Sequence, residues 1–213
     1  MTAAAPATIG KFVLRTFLWL PPCFAAWYLA APQVAPVVGG AARLLVEIFE
    51  SGIVSAVERE GFVLVFVTAI HVHPAPDRTA VLLVEVNPLL YTYGLPFFVA
   101  LMLAARAKWW KMLAGAAALL PFQAWGVAFD FLAQLVRTGA DVSAQAGLLG
   151  WRAEGIALAY QVGSLMFPAL IPVALWVGFN RQTLGALIRT PACDTGPHAA
   201  NVRHRTDRAP DAP

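Results

Sequence analysis

Apolar residues fill the chain in long unbroken runs, and the polar residues collect between them. The first run, 12–31, has the length that a hydrocarbon core ~30 Å thick requires at ~1.5 Å rise per residue. Pro21 and Pro22 sit in its middle and predict a kink. Three further runs, 88–105, 112–136 and 155–179, predict three more membrane helices. The segment 106–111 between the second and third is a short basic turn carrying Trp109 and Trp110, aromatic residues suited to the membrane interface.

Residues 32–87 have a different pattern. Pro32 and Pro36 predict the end of the first span. From Ala41 to Val57 the apolar positions Leu44, Leu45, Ile48, Val54 and Val57 alternate with Arg43, Glu47, Glu50 and Glu58 at helical spacing. That pattern predicts an amphipathic helix, imperfect near Ser51-Gly52, lying along the outer interface or packed on a neighbouring hairpin. Residues 61–87 predict that β-hairpin, with Phe62–Val72 and Arg78–Val86 as arms and His73-Pro74-Ala75-Pro76-Asp77 as the turn. The first arm is too short to cross a bilayer as a helix, and a hairpin in lipid would expose open edges.

At Glu85-Val86-Asn87-Pro88-Leu89-Leu90-Tyr91-Thr92-Tyr93-Gly94-Leu95-Pro96 the strand pattern gives way to an apolar helix. Pro88 suits a first helical turn, and Asn87 is placed to cap it. Tyr91 and Tyr93 are expected at headgroup depth. For Glu85 and Asn87, a polar docking site at the membrane surface competes with a plain strand end and helix cap, which we favour.

Composition strengthens the membrane reading. The 213 residues are 59% hydrophobic and 13% charged, half the ~25% charge of a soluble domain, and the mean hydropathy is +0.66. The fold class expected is a mainly α integral membrane protein with four transmembrane helices. An extracytoplasmic amphipathic helix and β-hairpin separate the first and second spans. A net charge of +3 does not point to nucleic acid. No cleavable signal peptide is expected, because the first run is long enough to stay as a span.

Four spans place both termini on one side. Ten basic residues fall on that side and five on the other. The short 106–111 turn agrees with the excess, so the positive-inside rule predicts that both termini are cytoplasmic. The expected order is a cytoplasmic segment 1–11, the outer module 32–87, an outer loop 137–154 with a short helix near Ser143–Leu149, and a cytoplasmic tail 180–213. The tail is expected to be disordered from about residue 190.

Asp130 is the foremost candidate for chemistry. It lies in the third span, in the stretch Pro121 to Phe131, and Gln123, Asp130 and Gln134 share a helix face. A carboxylate at that depth costs several kcal/mol unless paired or protonated, so intramembrane acids are functional candidates. Its structural reading is a polar contact to Gln161, Tyr160 or Arg137, and its functional readings are a partner contact, an ion or proton pathway, or catalysis. We favour the structural or partner contact.

His71 and His73 share a strand face, but a third metal ligand is not evident and a solvated hairpin is the better reading. Cys23 reads as a small hydrophobe and Cys193 as a tail residue. Pro121, Pro168 and Pro172 predict kinked spans. No complete catalytic set, phosphate-binding loop or metal site is recognised, and no cofactor is expected.

Four stretches together resemble the exosortase H-associated membrane proteins. They are Phe12-Val13-Leu14-Arg15-Thr16-Phe17-Leu18-Trp19-Leu20-Pro21, Val84 to Pro96, Leu120 to Asp130, and Ala157-Leu158-Ala159-Tyr160-Gln161-Val162-Gly163. The resemblance spans roughly residues 10–188. It implies partnership with an exosortase, a multi-pass transpeptidase-like enzyme acting on C-terminal sorting tails, or with a protein bearing such a tail. Exosortases rely on a Cys, an Arg and a His, a set this chain lacks in plausible geometry. The resemblance therefore implies an accessory component with no catalytic residue to carry over. The rival readings are a small transporter or channel subunit using the Asp130/Gln123 face, and an intramembrane enzyme.

Overall fold

The computed structural model describes residues 9–75 and 78–181. The chain opens with α1 (Ile9–Phe49), followed by three strands, β1 (Val54–Glu60), β2 (Val63–Ala75) and β3 (Arg78–Val86). Then come α2 (Leu89–Thr92), α3 (Gly94–Ala104), α4 (Trp109–Thr138), α5 (Ala140–Gln145), α6 (Trp151–Gln161), a π turn (Val162–Met166) and α7 (Phe167–Phe179). Among the described residues three helical stretches are long and apolar enough to cross a membrane, namely α1, α4 and the continuous run Trp151–Phe179.

The first helix corrects the expected break at Pro32. It runs unbroken for 41 residues through Pro21, Pro22, Pro32 and Pro36. A proline removes one backbone hydrogen bond, but a helix opened in an apolar setting would leave more groups unsatisfied. At ~1.5 Å per residue α1 is roughly 60 Å long, about twice a bilayer core. Its buried positions Ala31, Ala35, Val38, Ala42 and Val46 form one stripe of small side chains, and from Ala35 on that stripe shares a core with α4 and the sheet. The separate amphipathic helix expected over 41–57 does not form. Arg43 and Glu47 belong to the far end of α1, while Val54, Val57 and Glu58 lie in β1.

The expected two-strand hairpin is the β2–β3 half of a three-stranded antiparallel sheet, ordered β1-β2-β3. Glu60 pairs with Val63 across a two-residue turn whose Gly61 has φ +62, a backbone that glycine adopts without strain. The third strand matters because a lone hairpin is marginal. One face of the sheet turns inward through Leu64, Phe66, Val84 and Val86, and Phe66 stacks on Phe131 of α4 at 4.7 Å.

The expected second span is shorter than 88–105 and is divided. Pro96 offers no N–H to the carbonyl of Thr92, and the helix is interrupted at Tyr93. Leu89–Ala104 corresponds to ~24 Å at ~1.5 Å per residue, short of a ~30 Å core. Instead, α3 packs centrally against α1, α4 and α7 and buries Phe98 and Met102 fully. Phe12 stacks on Trp176 at 5.1 Å, and the Lys111 ammonium donates to the Phe179 carbonyl at 2.8 Å. The start of α1 and the end of α7 therefore meet at one end of the bundle.

The loop 137–154 contains α5, and α6 begins at Trp151 rather than at residue 155. Pro168 donates no hydrogen bond to the preceding turn, and the helix widens there into the π turn instead of simply kinking. The tail from residue 182, Cys193 included, and the side chain of His73 lie outside the described residues.

Candidate functional site: a polar cluster between bundle and sheet

Asp130 lies in the C-terminal half of α4, where the helix is buried almost all round. The Tyr91 hydroxyl and the Gln134 amide stand beside its carboxylate, with the Arg137 guanidinium as the nearby positive charge. Gln134 and Arg137 share its helix face because they lie four and seven residues further on. The Tyr160 hydroxyl stands beside that of Tyr91. The Arg137 guanidinium sits over the Tyr160 ring, 5.0 Å from its centroid. One carboxylate thus ties α2, α4 and α6 together.

Gln134 carries the tie to the sheet. Its Nε2 donates at 2.9 Å to the carbonyl of Glu85, at the end of β3. Two residues on, the Asn87 Oδ1 accepts the Leu89 N–H at 3.0 Å and so starts α2. The Thr92 hydroxyl donates to the Pro88 carbonyl at 3.0 Å. The stretch from Glu85 to Thr92 is therefore pinned at both its strand end and its helix start.

Close packing makes the tie possible. A Cβ at Gly126 would lie 2.3 Å from Tyr91 Cδ1, so only glycine leaves room for the ring. Gly163 in the π turn also lies so close to α4 that its own Cβ would come within 3.2 Å of the Gly126 Cα. The Trp125 indole N–H donates to the Ala159 carbonyl at 3.1 Å beside this crossing.

The structure gathers some of the expected residues and separates others. Asp130, Gln134, Glu85, Asn87, Pro88 and Tyr91 come together. Tyr91 is only 3% exposed, which corrects the expectation of a ring at headgroup depth; Tyr93 stays partly exposed. Gln161 is exposed and is not a partner of Asp130. Gln123, two turns from Asp130, is buried with its Nε2 unpartnered, facing a small hollow lined by Tyr91, Gly94 and Pro168. The part played by Tyr91 is the one that sequence spacing misses.

As chemistry, the cluster is a buried carboxylate with hydroxyl, amide and guanidinium groups gathered around it. Among the described residues no three His, Cys, Asp or Glu side chains gather to hold a metal ion. His71 is exposed on the sheet and Cys23 is buried in α1, so neither stands near Asp130 as base or nucleophile.

Neither the curated proteins nor the solved structures offer a match to this chain. A family model described as exosortase H-associated membrane protein matches residues 6–183. A membrane protein by its helices and by this match, the chain belongs to the exosortase H-associated membrane protein family.

Proposed function

We propose that this chain is a non-enzymatic accessory protein of an exosortase-type sorting system in a bacterial plasma membrane. Both ends of the chain face the cytoplasm in this reading, and the sheet faces outward. The sheet contacts the exosortase-type transpeptidase or the C-terminal sorting tail of its substrate. Family membership supports the association.

The observation that carries the contact is the outer face of the sheet. Val81 is 46% and Leu83 57% exposed. Leu83 pairs with half-buried Val67, and in the next row Val65, itself buried, lies between the exposed Glu58 and Glu85. Exposed Val81 and Leu83 with acids beside them suit a protein partner. Asp130 is a positioning residue in this reading: it is buried, its partners belong to this chain, and it holds the sheet on the bundle.

The test is co-purification of the tagged protein from native membranes in mild detergent, with mass spectrometry of what accompanies it. Wild type should recover an exosortase or a protein with a sorting tail. Leu83→Glu should lose that partner while keeping the wild-type unfolding midpoint. Asp130→Ala should lose both. Recovery of the wild-type chain alone sinks the accessory reading, and an unaffected Leu83→Glu complex moves the contact elsewhere.

A further inference from the structure

We infer that a groove between α1, α4 and α6 holds one acyl chain of a bilayer phospholipid, a role independent of the proposed sorting contact. The groove has a volume of about 330 Å³, at the small end of the ~300–1,000 Å³ typical of ligand sites. Its walls are Phe49 at the end of α1, Trp125, Phe129 and Leu132 of α4, Leu148, and Ile156 of α6. Phe129 lies 4.5 Å from Trp125 and 5.3 Å from Phe49 between ring centroids, so the lining is continuous aromatic carbon. The indole N–H of Trp125 is already donated to Ala159 and offers nothing to a polar ligand.

The surroundings choose the occupant. The groove opens beside the spanning run Trp151–Phe179, whose outer surface carries Leu158 at 65% and Leu165 at 71% exposure. That surface faces lipid in the membrane reading, and the groove continues it inward. Trp151, 81% exposed, stands at the rim as an interfacial anchor would. Beside it Arg152 pairs with Glu50 and donates to the Gly147 carbonyl at 3.0 Å. A headgroup would meet that ion pair while its chain entered the groove. Water finds few partners on such walls. A transmembrane helix, ~10–12 Å across, does not fit the space, whereas a methylene chain does.

The test uses the full chain in nanodiscs of phosphatidylethanolamine bearing a diazirine midway along one acyl chain. After irradiation and digestion, adducts are mapped by mass spectrometry. They should concentrate on 125–132 and 148–156 over the exposed 165–170 stretch. Gly155 lines the groove, and a Cβ there meets open space. Gly155→Phe should therefore fold, fill the groove and bring its adducts to background, with those at 165–170 unchanged. Gly155→Ala should retain them. Native mass spectrometry of the detergent-purified wild type should show a retained phospholipid. Equal labelling of groove and outer surface, groove labelling that survives Gly155→Phe, or a lipid-free wild type would each overturn the assignment.

Discussion

A buried carboxylate is tolerated only where its neighbours replace water, and around Asp130 the neighbour that depends on tertiary packing is Tyr91. The ring reaches Asp130 because Gly126 leaves a notch for it. Gly126→Ala should push Tyr91 off the carboxylate and destabilise the fold by about 1–3 kcal/mol, the usual cost of overpacking. Tyr91→Phe should cost about 1–3 kcal/mol by leaving Asp130 short of a donor. Thermal unfolding in detergent checks both, and wild-type midpoints would show that Tyr91 is no support for Asp130. Gln123 should behave oppositely. Its buried amide nitrogen has no partner, so Gln123→Met keeps the volume and removes an unpaired donor. The expected outcome is a gain of about 1 kcal/mol, read as a higher midpoint. A clear loss would reveal a partner for Gln123. Asp130 and Gln134 were legible in the sequence because a spacing of four on a helix is local information. Tyr91 was not, since its partnership depends on how α2 folds back onto α4, and an aromatic at a span end reads equally well as an interfacial ring.

At the scale of elements, the apolar runs located the helices, but prolines and charges were poor guides to where they stop. Pro32 and Pro36 read as terminators, yet α1 continues to Phe49, because its small-residue stripe is packed along its length. Val54–Val57 reads as the end of the Ala41–Val57 helix because Val54, Val57 and Glu58 fit helical spacing. The strand it forms gains its ladder from β2, and its register shifts between Val54 and Ala56, an irregularity that blurs strand alternation. Continuity of α1 has a direct consequence. Its end, Phe49 and Glu50, lies at the rim of the groove beside Trp151, at interfacial depth in the membrane reading. In a variant whose native cysteines are replaced, Ile48→Cys should react with a membrane-impermeant maleimide in intact cells, and Leu29→Cys should not. Both positions are exposed on the helix surface, so packing cannot explain a difference. Equal protection would place Ile48 within the bilayer.

The molecule as a whole is built on two cores at opposite ends. The larger joins the sheet, the far half of α1 and the buried stretch of α4, and Asp130 lies at its edge. The smaller gathers Phe98, Leu101, Met102, Leu119 and Trp176 around the end of α3. A separate set of polar bonds closes each. The sheet end has Gln134 on Glu85. The other has Lys111 on the Phe179 carbonyl, and Asn180 reaching Met102 Sδ and the Trp176 carbonyl. Sites this far apart without shared partners should be energetically additive, and each end should open on its own scale. Lys111→Met removes a cation from the C-terminal end of α7, where it satisfies a free carbonyl and complements the helix dipole. Hydrogen exchange should then quicken for amides near 176–181 and stay unchanged in β2 and β3. Gly126→Ala should do the reverse, and the double variant should combine the two patterns. Loss of protection in the sheet on Lys111→Met would mean that the ends are one cooperative unit. The sheet could then be displaced from the terminal end, without any change at Asp130.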